Sequence, residues 1–100
     1  MEWCDATKGE TFILGQNYPN PVTTSTSIPF TLDKPDFVSL KIYDLLGKEV
    51  AVLLQEDRIA GSHTATWDAS GLPRDVYFAV LRTGAGTECR RMVLVSESGR

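Results

Sequence analysis

Apolar residues in this chain recur at every second position, in short runs that stop at polar or glycine-containing turns. Ile28, Phe30 and Leu32 alternate with Ser27, Pro29 and Thr31, and Val38, Leu40 and Ile42 alternate with Ser39 and Lys41. Val50, Val52 and Leu54 follow, then Ala65 and Trp67, then Tyr77, Ala79 and Leu81, and finally Met92 and Leu94. A period of two puts alternate side chains on opposite faces of a strand, so each run can cover one side of a core. Such runs, spaced by about 8–12 residues, predict an all-β fold: an immunoglobulin-like β-sandwich of about seven antiparallel strands. A helical reading competes only over Val50 to Gln55, where the branched Val50 and Val52 favour a strand.

The connections agree with this reading. Asp33-Lys34-Pro35-Asp36 is a polar turn, and Asp44-Leu45-Leu46-Gly47 places Asp first and Gly fourth, as a type I turn prefers. Gly84-Ala85-Gly86 joins the last two strands. Pro29 cannot donate to a ladder, so its strand is expected at a sheet edge or at a bulge. Trp67 reads as the apolar centrepiece. Leu72 to Tyr77 reads as a corner at which Tyr77 packs inward and its hydroxyl bonds back to the chain a few residues upstream. Val76, Phe78 and Val80 must then face the other way, either in a central strand or as a patch that a cargo domain or a partner covers.

One hundred residues allow a single core, and 42% hydrophobic residues are enough to pack it rather than leave the chain disordered. Ten basic against thirteen acidic residues, with only Arg90-Arg91 as a local basic pair, exclude a general nucleic-acid binder. No apolar run approaches the ~18 residues of a membrane-spanning helix. The start, Met1 to Asp5, lacks the basic and apolar regions of a secretory signal peptide. Residues 1–10 are expected to be a linker or an expression remnant, 11–96 the folded domain and 97–100 a tail. Cys4 and Cys89 read as unpaired thiols, one in the linker and one half-buried; a bridge between them is the alternative in an oxidising compartment.

Groups that could perform chemistry do not converge. Ser62 and His63 are neighbours on a strand, so their side chains diverge, which is wrong for a nucleophile and its base. Two Cys and one His make no structural zinc site, and no glycine-rich phosphate loop precedes a helix. Asp33, Asp36, Asp44, Asp57, Asp68 and Asp75 read mostly as turn residues, with a weak calcium site at one end of the sandwich left open. Neither a cofactor nor a metal nor a catalytic residue is therefore expected, and the chain reads as a non-enzyme. Trp3, Tyr18, Tyr43 and Phe78 are the aromatics available as sugar platforms, but they are scattered rather than spaced along one strand.

From about Phe12 to Val95, several motifs occur in a distinctive order. They are Leu14-Gly15-Gln16-Asn17-Tyr18-Pro19-Asn20-Pro21, Thr26 to Phe30, Val38 to Val50, Ala60-Gly61-Ser62-His63, Trp67-Asp68, Val76-Tyr77-Phe78 and Arg90 to Val95. In this the chain resembles the C-terminal sorting domains (type A) of the type IX secretion system of Bacteroidetes-type bacteria. Related immunoglobulin-like modules occur in flagellar-hook capping proteins. The resemblance implies a non-catalytic label on a larger cargo that crosses the periplasm and outer membrane to be secreted or held at the cell surface. Its implied partners are an outer-membrane translocon, a sortase-like peptidase and an N-terminal cargo domain. Pro19, Asn20, Pro21, Gly47, Tyr77, Arg90 and Arg91 are the implied recognition residues.

Two departures from the family pattern stand out. Asp75 occupies a position where glycine is usual, so it is expected to take a left-handed backbone, and the chain continues past Val95 to Arg100. The last strand, Arg90 to Val95, is expected to offer an edge for strand addition or for dimerisation. A carbohydrate-binding or adhesive module, and a structural spacer beside an extracellular enzyme, remain as alternative functions.

Overall fold

Among the described residues, seven strands and no helix carry the chain from Phe12 to Leu94. In chain order they are β1 (Phe12–Leu14), β2 (Ser25–Leu32), β3 (Asp36–Tyr43), β4 (Glu49–Arg58), β5 (Gly61–Asp68), β6 (Asp75–Thr83) and β7 (Gly86–Leu94). They belong to a computed structural model that describes residues 12–95 except 19, 21, 23 and 85, and omits the side chain of Phe12. One sheet has the order β1-β2-β5 and the other β4-β3-β6-β7, and every strand pairing is antiparallel.

Alternation decides what the two sheets bury between them. Thr26, Ile28, Phe30 and Leu32 of β2 face Val38, Leu40 and Ile42 of β3 and Tyr77, Ala79 and Leu81 of β6 across the core. Trp67 on β5 is 2% exposed and meets the Tyr77 ring edge-on, with centroids 5.4 Å apart. The Tyr77 hydroxyl donates to the Pro73 carbonyl at 2.7 Å, closing the expected corner. Burial outweighs that bond: a buried aromatic contributes about 1.5–3 kcal/mol and a hydrogen bond about 1 kcal/mol.

The β3–β4 hairpin follows from Asp44. Its Oδ1 accepts the amides of Leu46 and Lys48, both at 2.9 Å, and its carbonyl accepts the Gly47 amide at 3.0 Å. Gly47 has φ of 84°, a backbone that a side chain would strain. Asp75 does not take the left-handed backbone expected of it, since no non-glycine among the described residues has positive φ. Its Oδ1 instead accepts the Val76 amide at 2.7 Å.

Two expectations about strand regularity need correction. The alternation read over Val50, Val52 and Leu54 fails because β4 is bulged twice against β3. Pairing passes from Leu40↔Leu54 to Lys41↔Val52 and from Ile42↔Ala51 to Tyr43↔Glu49, so Leu53 and Val50 are extra residues. Each extra residue reverses the facing of those beyond it, which leaves Val52 45% exposed while Leu53 and Leu54 pack on the core. Pro29 does not lie on an edge strand, because β2 is central in its sheet. The bulge half of that expectation holds: between Leu14↔Phe30 and Tyr18↔Ser27, Gly15, Gln16 and Asn17 face only Ile28 and Pro29. The Pro29 carbonyl accepts the Gly15 amide at 2.9 Å, and the missing N–H points to this irregular stretch.

A Cβ on Gly15 would lie 2.9 Å from the Pro29 ring and 3.3 Å from its carbonyl oxygen. Gly15→Ala is therefore expected to destabilise the fold by about 1–3 kcal/mol, read as a lower urea midpoint. An unchanged midpoint would contradict this close approach.

Candidate functional site

The segment before β2 wraps the last strand. Alternation along β7 sends the backbone groups of Met92 and Leu94 toward β6 and those of Arg91, Val93 and Val95 outward. The outward groups are engaged. The amide of Val22 donates to the Val93 carbonyl at 2.7 Å, and the amide of Val95 donates to the Val22 carbonyl at 2.8 Å, a parallel bridge. The Val93 amide donates to Asn20 Oδ1 at 3.3 Å, and Gln16 Nε2 donates to the Arg91 carbonyl at 3.2 Å. The expectation that Arg90 to Val95 presents an open edge is corrected here, because residues of the Gln16–Val22 segment already pair with it.

Side chains fix the segment from beneath. Gln16 Nε2 also donates to Asn17 Oδ1 at 2.7 Å, and the buried Asn17 amide donates to the buried Thr26 hydroxyl at 3.1 Å. One turn earlier, the Leu14 amide donates to Glu88 Oε1 at 2.7 Å and Arg90 Nε donates to the Leu14 carbonyl at 2.8 Å. Glu88 is 3% exposed. Sequence reasoning missed it, although it shares the parity of Met92 and Leu94 and so had to point inward. A carboxylate on a core-facing position signals a buried acceptor for an otherwise unpaired donor.

The recognition residues expected from sequence therefore fall in different places. Asn20 and Arg90 lie in this seam, and Arg91 has an exposed side chain with its carbonyl in the seam. Gly47 is far off at the β3–β4 turn, and Tyr77 is in the core. Pro19 and Pro21 lie outside the described residues. So does Cys4; Cys89 is buried and disulfide-bonded, which corrects its reading as a free thiol.

Several other polar side chains bond within the chain. His63 Nε2 donates to the Ile59 carbonyl at 2.8 Å, and its ring stacks on Phe30 with centroids 5.2 Å apart. Asp68 Oδ1 accepts the amide and hydroxyl of Ser70, which hold its carboxyl below the usual pKa. Asp36 accepts the amides of Phe37 and Gly84 beside a shallow recess lined by Lys34 and Pro35. Among the described residues, no three metal-ligating side chains converge. Of the candidate sugar-platform aromatics, Tyr18 is exposed, Tyr43 half-buried and Phe78 buried, and Trp3 lies outside the described residues.

The family model for the secretion system C-terminal sorting domain matches residues 16–95. That interval begins in the wrapping segment and ends one residue past the strand it wraps. No curated protein matches the chain significantly. Among solved structures, dimeric latent PorU from Porphyromonas gingivalis is similar, with a TM-score of 0.61 and 18% sequence identity. The likeness, one of fold, covers 92% of this chain and 10% of that one, so this chain spans about a tenth of that protein's length.

Glu88→Ala strands the Leu14 amide and is expected to cost about 1–3 kcal/mol in chemical denaturation; a neutral effect would contradict the buried bond. Burial, then the nearby charges of Asp75 and Asp44, raise the Tyr77 phenol above its ordinary pKa. The fold thus favours the neutral phenol. Its stabilisation is complete below the ordinary phenol pKa and is lost as pH rises through the higher folded value. Tyr77→Phe should lose about 1 kcal/mol at neutral pH and flatten the fall in stability above about pH 10. An unaltered alkaline slope would contradict this.

Proposed function

This chain belongs to the secretion system C-terminal sorting domain family, and on that premise we propose how its fold acts as an address. It is a non-catalytic sorting signal for type IX secretion, and it directs the protein that carries it to the cell surface or beyond. In our reading, the outer-membrane translocon recognises the seam where the Leu14–Val22 segment lies along β7. The observation carrying this is that two motifs more than seventy residues apart share one hydrogen-bonded surface, as in the 2.7 Å bond from Val22 to Val93. Such a surface exists only when the domain is folded. An address read there reports folding as well as identity.

Within this reading the domain spans residues 11–96, with residues 1–10 as the linker to an N-terminal cargo domain and 97–100 as a tail. The cargo crosses the periplasm, and a sortase-like peptidase then separates it from the label. Asn20, Arg90 and Arg91 act at the seam, Gly47 and Tyr77 act by holding shape, and Pro19 and Pro21 are retained as recognition residues on the motif resemblance alone. The sheet orders and the Tyr77 corner support an immunoglobulin-like relation, whereas the type A branch and the kinship to flagellar-hook capping modules rest on the motif resemblance alone. Edge pairing between copies is assigned to β4 or β5, since the Arg91–Val95 edge of β7 and the Leu14 backbone of β1 are engaged.

Residues 11–100 fused behind a periplasmic reporter, in cells with the secretion system, should carry that reporter outside. Periplasmic retention with the translocon intact would contradict the sorting reading. Arg91→Glu reverses an exposed charge at the seam and is expected to reduce export several-fold with an unchanged urea midpoint. Full export of that variant would remove Arg91 from the recognised surface without touching the broader reading.

A further inference from the structure

Of the sheet edges, β5 alone is unguarded. Glu88 and Arg90 hold the backbone of Leu14 on β1, residues of the Gln16–Val22 segment pair with β7, and β4 carries two bulges and the charged Glu56-Asp57-Arg58. β5 keeps unbroken register with β2 from Gly61 to Asp68 and contains no proline. It has no carboxylate, lysine or arginine before Asp68, and no strand on its other flank among the described residues. A slot lies beside it. β1 meets β7 at one side of the sandwich, so at the other side the four-stranded sheet extends past β5, and β4 is left uncovered. Ala51, Leu54 and Glu56 pair with Ile42, Leu40 and Val38, and so face inward with them. Yet Ile42, Leu40 and Val38 are fully buried, whereas Ala51 and Leu54 are half-buried and the Glu56 side chain is 55% exposed.

We propose that an extended, cationic segment of another protein fills this slot. Its backbone pairs with β5, its alternate apolar side chains cover Ala51 and Leu54, and a lysine or arginine reaches Glu56. In strand addition of this kind, main-chain bonds supply the affinity and the side chains beneath supply the preference. Charge selects the occupant. β4 and β5 carry Glu49, Glu56, Asp57 and Asp68 against Arg58, so the strands bounding the slot favour a cationic partner. A second copy of this chain is the weaker competitor, because it sets these carboxylates against their equals. The slot is separate from the β7 seam, and the inference does not depend on the sorting function.

The test titrates the isotope-labelled 100-residue chain with two synthetic peptides of alternating valine and threonine, one flanked by lysines and the other by glutamates. The lysine-flanked peptide should give saturable chemical-shift changes in β5, Ala51 and Leu54, and bind several-fold more tightly than the glutamate-flanked one. Glu56→Lys should weaken the lysine-flanked peptide several-fold with a nearly unchanged urea midpoint, since the exposed ion pair with Arg58 contributes little to folding. No shift in β5 at millimolar peptide, equal binding of the two peptides, or undiminished binding by Glu56→Lys would each overturn the inference. So would a dimer through β5 that the lysine-flanked peptide does not displace.

Discussion

A strand that ends a sheet has a row of amides and carbonyls with no partner, and the fold depends on how β7 meets that problem. Its inner groups pair with β6, and over Arg91–Val95 its outer groups pair with Gln16, Asn20 and Val22. An unpaired backbone group excluded from water costs about 1–3 kcal/mol, so several such bonds weigh heavily against a net stability of about 5–15 kcal/mol. The same bonds carry the chain from β7, at the end of one sheet, to β2, at the centre of the other. They tie the two sheets together where side-chain packing alone would let them slide.

The core supplies the stabilisation and the seam supplies the registration. Trp67 and Tyr77 fill the middle from opposite sheets, and the Tyr77 hydroxyl fixes the corner where the chain re-enters β6. Gly15 permits the close pass of the segment beside Pro29, and Glu88 takes the amide of Leu14, so the wrapping segment is held at its start as well as along its length. A recognition surface composed of such a seam is assembled only after both ends of the domain have folded. This agrees with the proposal that the label is read in its folded state.

Much of this was legible in the residues, because a period of two leaves little freedom for β2, β3, β5 and β6. The type I turn at Asp44 and the inward Tyr77 followed from local chemistry. What escaped was non-local. Nothing around Val50 or Leu53 marks them as bulged; the extra residues appear only against the partner strand β3. Pro29 signals disrupted pairing, but whether by an edge or a bulge depends on where β1 stops. The strand at Arg90–Val95 looks like a free edge until Val22, more than seventy residues earlier, is seen beside it. Glu88 alone could have been found, from its parity with Met92 and Leu94. The recognition residues were read from motif resemblance, which groups what recurs together. It could not separate Asn20, Arg90 and Arg91 at the seam from Gly47 and Tyr77, which shape the fold elsewhere.

Native-state hydrogen exchange at single β7 amides tests the closed edge most directly. If the wrapping segment seals the strand, the Val93 and Val95 amides should exchange nearly as slowly as those of Met92 and Leu94, which face β6. Rapid exchange at Val93 and Val95, with Met92 and Leu94 still protected, would mean that the last strand has an open flank in solution and that the seam does not hold the sheets together.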